Sequence, residues 1–300
     1  MTDFDDKLVI VTGAGSGIGR ATAVRFAKAG ARVVVSDVDK DTAHATAETI
    51  GRQAHPYVVD VSDDSAMAAF AAAVHEAHGA PSVLVNNAGY TTAGPFLGHS
   101  AADWDRIMGV NFWGVVHGSR LFGRQMLDAG RGGRILTVTS PAAVLPIPLS
   151  TAYCTSKAAA QMLTECLRLE FAGTGIGVTA VLPGFIDTGF YPSARIVGLD
   201  EAQGIRGRNI SVLAAGLVAR SPETVARNIV RIAGRNPAIA PTPFEARIAC
   251  AAGRVSPAGA RLAARFMDIE GLLGTAERFV PDALLRRLDA AAARAVAARG

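Results

Sequence analysis

Three side chains carry the first chemical signal. Tyr153 and Lys157 stand four apart in the run Tyr153-Cys154-Thr155-Ser156-Lys157, so on a helix they share a face. A free phenol with a pKa near ~10 is a poor base at neutral pH. A neighbouring ammonium favours the phenolate, and moving the pKa from ~10 toward ~7 takes about 4 kcal/mol of preferential stabilisation. Desolvated charges at close range can supply that. Alone, a Tyr-x3-Lys pair is a common helix pairing that packing explains equally well. Ser140 changes the balance: it follows an apolar run at 133–139 and precedes Tyr153 with twelve residues between them. A hydroxyl there is either a polar turn residue or a hydrogen-bonding partner for a reacting oxygen. The three together make a unit for general acid–base chemistry.

A second constellation lies at the start of the chain. Leu8–Thr12 is a β-branched apolar run that ends in Gly13-Ala14-Gly15-Ser16-Gly17-Ile18-Gly19. The GxGxxG spacing fails from every start, because positions 18, 20 and 22 are Ile, Arg and Thr. The pattern that fits is TGxxxGxG, with Gly13, Gly17 and Gly19. Between a strand and a helix, such a loop directs backbone N–H groups at an anion, here a pyrophosphate. Asp37 ends the next apolar run, about twenty residues further on. A carboxylate there accepts hydrogen bonds from both adenosine ribose hydroxyls and repels a 2′-phosphate. No Lys or Arg occupies positions 14–16 or 37–39, so NAD(H) is expected over NADP(H).

The elements that would position these residues follow from hydrophobic pattern. Strands are expected at 8–12, 32–36, 56–59, 82–85, 133–139, 177–182 and 238–240, each a continuous apolar run rather than an alternating one. Helices are expected at 18–30, 41–50, 62–78, 100–129, 151–171 and 222–234. Asp63 or Ser62, Ser100 with Asp103, and Ser221 before Pro222 serve as helix starts. Strands alternating with helices indicate an α/β, doubly wound parallel sheet of Rossmann type, with helices covering both faces. One catalytic domain is expected over 1–242. The Ala- and Arg-rich stretch 243–300 is read as a helical extension, with helices near 244–253, 258–267 and 281–298.

Composition narrows the function classes. With 300 residues, half of them hydrophobic and 19% charged, the chain can bury a large core. Its 3 cysteines are too few and too scattered for a disulfide framework or zinc cluster. The six histidines all lie within the first 117 residues; His75 and His78 are expected to be a solvated pair on an outer helix, not metal ligands. No G-x-S-x-G elbow supports a hydrolase. The net charge of +4 comes from dispersed arginines, 26 against 4 lysines, and indicates a solvated surface rather than a nucleic-acid site. The acidic stretch at 2–6 and the lack of a long apolar run make a cytoplasmic location the expectation.

These motifs, in this order, resemble the short-chain dehydrogenase/reductase family. The matching residues are TGAGSGIG at 12–19, Asp60-Val61, NNAG at 86–89, Asn111, Ser140, YCTSK at 153–157 and PGFIDT at 183–188. The resemblance covers roughly 6–242 and leaves out the extension. It implies that Tyr153 is the general acid/base and that Lys157 lowers its pKa and holds the nicotinamide ribose. Ser140 would bond the substrate oxygen, and Asn111 would support a water-linked proton relay with Lys157. Gly13, Ser16, Gly17, Ile18 and Gly19 would hold the pyrophosphate, and Asp60 and Val61 the adenine. Asn87, Ala88 and Gly89 would line the cofactor. Pro183, Gly184, Ile186 and Thr188 would position the nicotinamide. The implied reaction is hydride transfer between nicotinamide C4 and a carbinol or carbonyl carbon. Pro141, directly after Ser140, departs from the pattern and removes one backbone donor from the pocket loop.

The substrate is less legible. The segments 90–96, 141–150 and 189 onward are mostly apolar, so an apolar secondary alcohol or ketone is expected. A β-ketoacyl group on acyl carrier protein, an epimerase or dehydratase on the same fold, and a membrane-associated binding protein using the Arg-rich tail are the alternatives. A homodimer or homotetramer is expected through the 101–129 and 151–172 helices, with Ile107, Val110, Val115, Leu121, Met162, Leu163, Leu167 and Leu169 as its apolar residues.

Overall fold

The computed structural model describes residues 4–184, 186, 195–198 and 220–255. A parallel seven-stranded sheet runs in the order β3-β2-β1-β4-β6-β7-β9. Its strands are β1 (Leu8–Thr12), β2 (Arg32–Asp37), β3 (Ala54–Val58), β4 (Val83–Asn86), β6 (Gly133–Val138), β7 (Ile176–Pro183) and β9 (Ile239–Thr242). A separate parallel pair joins β5 (Thr92–Ala93) to β8 (Arg195–Ile196). The helices are α1 (Gly17–Ala27), α2 (Lys40–Ile50), α3 (Asp64–His78), α4 (Ala101–Met108), α5 (Gly114–Ala129), α6 (Thr151–Glu170), α7 (Pro222–Arg235) and α8 (Phe244–Val255).

Strand order reverses at β1, whose neighbours are β2 on one side and β4 on the other. Loops at the carboxyl ends of β1 and β4 therefore diverge, and the crevice between them is where this topology binds ligands.

Continuous apolar strands are explained by what lies on each face. Along β1, Val9 and Val11 join one core cluster, with Ala23 and Phe26 of α1 and Val225 and Ile229 of α7. Leu8 and Ile10 point the other way, into a second cluster with Phe70 and Val74 of α3 and Phe122 and Met126 of α5. Period-2 alternation persists, but both faces are buried, so no polar residue interrupts it. Phe26 and Phe122 are fully enclosed, and truncating either to Ala would cost about 3–5 kcal/mol.

Helix starts follow the local chemistry. The Asp39 carboxylate accepts from Thr42 N at 3.0 Å and that of Asp63 from Ala66 N at 2.9 Å. Ser100 and Asp103 form the expected capping box. Ser221 precedes α7 with Pro222 in the first turn, where its missing N–H costs nothing.

The expected single helix at 100–129 is broken. Gly109–Trp113 is a π-helical segment between α4 and α5. Such segments insert an extra residue and recur at functional sites. The third strand starts earlier than expected, at Ala54, and carries Pro56, which its position at the sheet edge tolerates. Pro241 occupies β9 at the opposite edge.

His78 is not the solvated partner of His75. Its ring stacks on His55 at 4.2 Å, and its Nε2 lies 3.2 Å from the Tyr57 hydroxyl. Burial, and then neighbouring positive charge, hold both imidazoles below their usual pKa.

Within the extension, α8 matches the expected helix at 244–253. Ala246 and Cys250 are buried, Cys250 in a small cluster with Ala180 and Leu182 of β7, so this part covers the β7–β9 end of the sheet. The helices expected at 258–267 and 281–298 lie outside the described residues.

Candidate active site

The glycine loop is packed to contact. Gly13 has φ +62, and a Cβ there would stand 2.7 Å from the Ala88 Cα. Helix α1 begins at Gly17 with no side-chain cap and no acid in its first turn, leaving its N–H dipoles available to an anion. Ser16 is its N-cap residue, and Ile18 packs partly buried against the core.

Asp37 is fixed before any ligand arrives. Its Oδ2 accepts from Gly15 N at 2.8 Å and its Oδ1 from Asp39 N at 3.1 Å. A Cβ on Gly15 would come within 2.7 Å of that carboxylate. Asp60 is held in the same way, accepting from Ser62 N and Ser62 Oγ at 2.9 and 2.7 Å. Val61 beside it is buried, and its carbonyl meets the His117 ring at 3.0 Å.

The NNAG segment is welded to the glycine loop through Thr12. Its Oγ1 accepts from Asn87 N at 3.0 Å and from Ala88 N at 3.1 Å. The Asn87 carboxamide donates to Thr12 O and Gly13 O at 2.9 and 3.1 Å. Asn87 thus shapes the loop with the side chain expected to line the cofactor. Thr12 performs this role without having been singled out in the sequence. Its signal there was its place as the first residue of the TGxxxGxG pattern, at the end of a buried strand.

Tyr153 and Lys157 face the same crevice from the first turns of α6. The Lys157 Nζ lies 5.9 Å from the Tyr153 ring centroid. Lys157 is 4% exposed and donates to Val138 O at 2.9 Å. Burial lowers its pKa from 10.5 to about 8. A Cβ on Gly89 would fall 3.5 Å from that Nζ and 3.7 Å from Asn111 Oδ1, so the Gly89 backbone lies against both groups.

Asn111 sits in the π segment and is fully buried. Its Oδ1 accepts from Tyr90 N at 2.8 Å, and its Nδ2 donates to Tyr90 O at 2.9 Å and Ser156 Oγ at 2.9 Å. Ser156 Oγ in turn donates to Tyr153 O at 2.8 Å. The carboxamide therefore ties the NNAG loop to the helix carrying Tyr153. Neither Tyr90 nor Ser156 was given a role from sequence, although Tyr90 follows the NNAG motif and Ser156 lies within YCTSK.

Ser140 follows β6 and caps a short 3-10 turn, Pro141–Ala143, accepting from Ala142 N at 3.2 Å. Pro141 occupies the first position of that turn, where an N–H would be unused, so the departure is structurally neutral. Pro183 ends β7, and Gly184 N donates to Thr242 O at 2.9 Å. Ile186 is buried and bridges Arg220. Thr188 lies outside the described residues. The sheet therefore brings Gly13, Asp37, Asn87, Ser140, Tyr153, Lys157 and Pro183 to one edge.

Comparison with known proteins agrees with this geometry. The short chain dehydrogenase family model matches residues 7–195. The probable oxidoreductase EphD of Mycobacterium tuberculosis is 44% identical over 273 residues, covering 89% of this chain and 46% of that protein. The chain thus spans about half the length of that relative. A short chain dehydrogenase/reductase from Burkholderia phymatum, solved in complex with NAD, superimposes with a TM-score of 0.78 at 29% identity, covering 85% of this chain and 95% of that one. A 3-ketoacyl-(acyl-carrier-protein) reductase from Brucella melitensis, complexed with NADH, gives 0.71 at 27% identity, covering 80% and 98%. The chain belongs to the short-chain dehydrogenase/reductase family of oxidoreductases.

Proposed function

We propose that the protein is an NAD(H)-dependent oxidoreductase that interconverts an apolar secondary alcohol and its ketone, with Tyr153 as general acid/base. One observation carries the mechanism: a buried ammonium, Lys157, beside Tyr153 and donating to the Val138 carbonyl. A desolvated cation gains strongly from a nearby anion, so the cost of burying Lys157 is partly recovered when Tyr153 becomes phenolate. In the alcohol-oxidising direction Tyr153 takes the hydroxyl proton, and in the reducing direction it returns one to the oxygen. Ser140 Oγ stands at the same sheet edge to hold that oxygen, and Asn111 keeps the Tyr153 helix in register with the NNAG loop.

The residues present fit a dinucleotide. The Gly13–Gly19 loop leaves no room for a Cβ at Gly13, the α1 N-terminus is uncapped, and Asp37 is preset at the end of β2. When bound, the nicotinamide supplies or accepts the hydride. The carboxylate of Asp37 favours NAD(H) over NADP(H), because a 2′-phosphate would meet a fixed negative charge. The NAD and NADH held by the Burkholderia and Brucella proteins support the same choice.

An apolar substrate agrees with the segment after β5, where Phe96 and Leu97 are 58% and 92% exposed. The test is NADH against NADPH oxidation with a panel of hydrophobic ketones, diketones and a β-ketoacyl thioester, with NAD-linked alcohol oxidation in parallel. NADH-dependent turnover lost in Tyr153→Phe supports the reading. NADH binding without turnover of any panel member counts against it.

We further infer a homo-oligomer built on α5 and α6. Of the residues expected there, Ile107 and Val115 belong to the buried core, and Leu121 and Leu167 pack against it. The exposed large apolar side chains in this region are instead Met162 and Leu169 of α6 and Trp113 just before α5. Light scattering of Met162→Asp should show a smaller species than the parent protein.

A further inference from the structure

The β5–β8 pair is built by close backbone approach. Gly94 has φ +149, and a Cβ there would overlap Val197 O; a Cβ on Gly98 would meet the Gly198 Cα at 2.8 Å. Val197 N donates to Ala93 O at 2.9 Å. Two segments distant in sequence are therefore pressed together beside Tyr90.

This wall has three anchors. Tyr90, two residues before β5, is held through both backbone polar groups by Asn111. Gly94 N donates to Leu149 O at 2.8 Å. Leu149 has φ +57, an uncommon conformation for a non-glycine residue that surrounding contacts must sustain, and it immediately precedes Ser150, the N-cap of α6. The third anchor is ionic: Arg195 Nη1 lies 2.8 Å from Asp103 Oδ1, with the two side chains 55% and 5% exposed.

Asp103 has a second task. Its Oδ2 accepts from Ser100 N at 3.0 Å and from Ser100 Oγ at 2.7 Å, closing the capping box of α4. That helix runs directly into the π segment bearing Asn111. One nearly buried carboxylate thus starts the helix that delivers Asn111 and pins the segment that forms the facing wall.

We infer that Asp103 is a positioning residue for the substrate side of the crevice, acting with Arg195 as a clasp that holds 195–198 against 92–98 and so sets the wall beside the Tyr153 helix. Asp103 and Arg195 pair with each other away from the glycine loop and Asp37, so breaking the pair at Arg195, with the α4 cap kept, is expected to act on substrate rather than on dinucleotide. The kinetic part of this inference rests on the oxidoreductase reading; the structural part does not.

Arg195→Gln removes the ion pair and leaves the α4 cap intact, and Arg195→Lys keeps a cation as the conservative rescue. For Arg195→Gln, the ketone KM should rise about 3- to 10-fold, as for loss of a partly screened ion pair. The Kd for NADH, read by fluorescence, should be unchanged. Amide hydrogen exchange over 92–98 and 195–198 should accelerate, and Arg195→Lys should recover most of both effects. The KM effects of Arg195→Gln and Asp103→Asn should be less than additive in the double variant, since both break the same pair and only the Asp103 change also touches the α4 cap. Unchanged exchange and KM in Arg195→Gln would overturn the clasp. A parallel loss of NADH affinity, ketone KM and melting temperature would overturn it too, by showing a general structural role. If the parent enzyme turns over no ketone, the oxidoreductase reading fails, and hydrogen exchange with its Lys rescue still decides the clasp.

Discussion

Replacing Lys157 with Met should make the unliganded protein more stable at neutral pH while abolishing catalysis. The magnitude follows from the lysine's burial. Its pKa falls from 10.5 to about 8 in the folded chain, a differential cost of about 3 kcal/mol for keeping the ammonium in the fold. Methionine removes the cost and fills similar volume, but leaves Val138 O without its 2.9 Å donor, a loss of about 1–3 kcal/mol. The net at pH 7 is a variant about 0–2 kcal/mol more stable than the parent. The pH dependence is sharper than the net. Below pH 8 the lysine is protonated in both states, so the penalty is fully present. As pH rises from 8 toward 10.5, the folded lysine loses its proton before the unfolded one, and parent stability rises. Between pH 7 and 9.5 this gain is about 2 kcal/mol, and the Met variant lacks it. Urea denaturation of both proteins across that range measures the difference, in which every titrating group not coupled to Lys157 cancels; repeating the pair in a Tyr153→Phe background removes the coupled phenol. A stability difference that stays flat from pH 7 to 9.5 would refute the buried-ammonium argument.

Other perturbations separate the parts of the site. Tyr153→Phe should abolish turnover with NADH affinity retained, measured by steady-state kinetics and fluorescence titration. Asp37→Ala should weaken NAD binding and relax discrimination against NADP, because it removes the carboxylate and frees the Gly15 and Asp39 amides it now occupies; unchanged selectivity would show that Asp37 does not read the ribose. Thr12→Val should strip the Asn87 and Ala88 amides of their shared acceptor and destabilise the fold by about 2 kcal/mol, with weaker dinucleotide binding in the same titration. Gly13→Ala should cost more binding than Thr12→Val, because its Cβ would press on backbone at 2.7 Å from a left-handed residue.

Most of the sheet was legible because its strands are short apolar runs closed by Gly, Asp or Asn. Leu8–Thr12 before Gly13 and Arg32–Asp37 before Asp39 announce both a strand and its loop. The chemistry was legible for a related reason: a strand-end loop is where spacing in sequence maps onto proximity in space. The π segment was not legible. Its residues, Gly109–Trp113, continue an apolar pattern that reads as one helix, and a single extra residue leaves no compositional trace. Asp103 was read as a cap and nothing more, since a local motif exhausts one oxygen and says nothing of Arg195, which only the folded chain brings to the other. Ile107 and Val115 were read as interface residues, yet both are buried within the chain; hydrophobicity alone does not say which neighbour a side chain meets. His78 was taken for a surface residue because the edge-strand partner that covers it, His55, is set by strand order.

The outer strands of the sheet, β3 and β9, each carry a proline, Pro56 and Pro241. A row of backbone amides at a sheet margin is a template for any passing strand. At both margins of this sheet the row has a missing rung, so continuous strand-on-strand growth between molecules is interrupted whichever side is approached. The self-association proposed above would then fall on side-chain surfaces, where Trp113, Met162 and Leu169 stand exposed. The same two prolines should keep the protein dispersed at concentrations where an unbroken margin would nucleate fibrils.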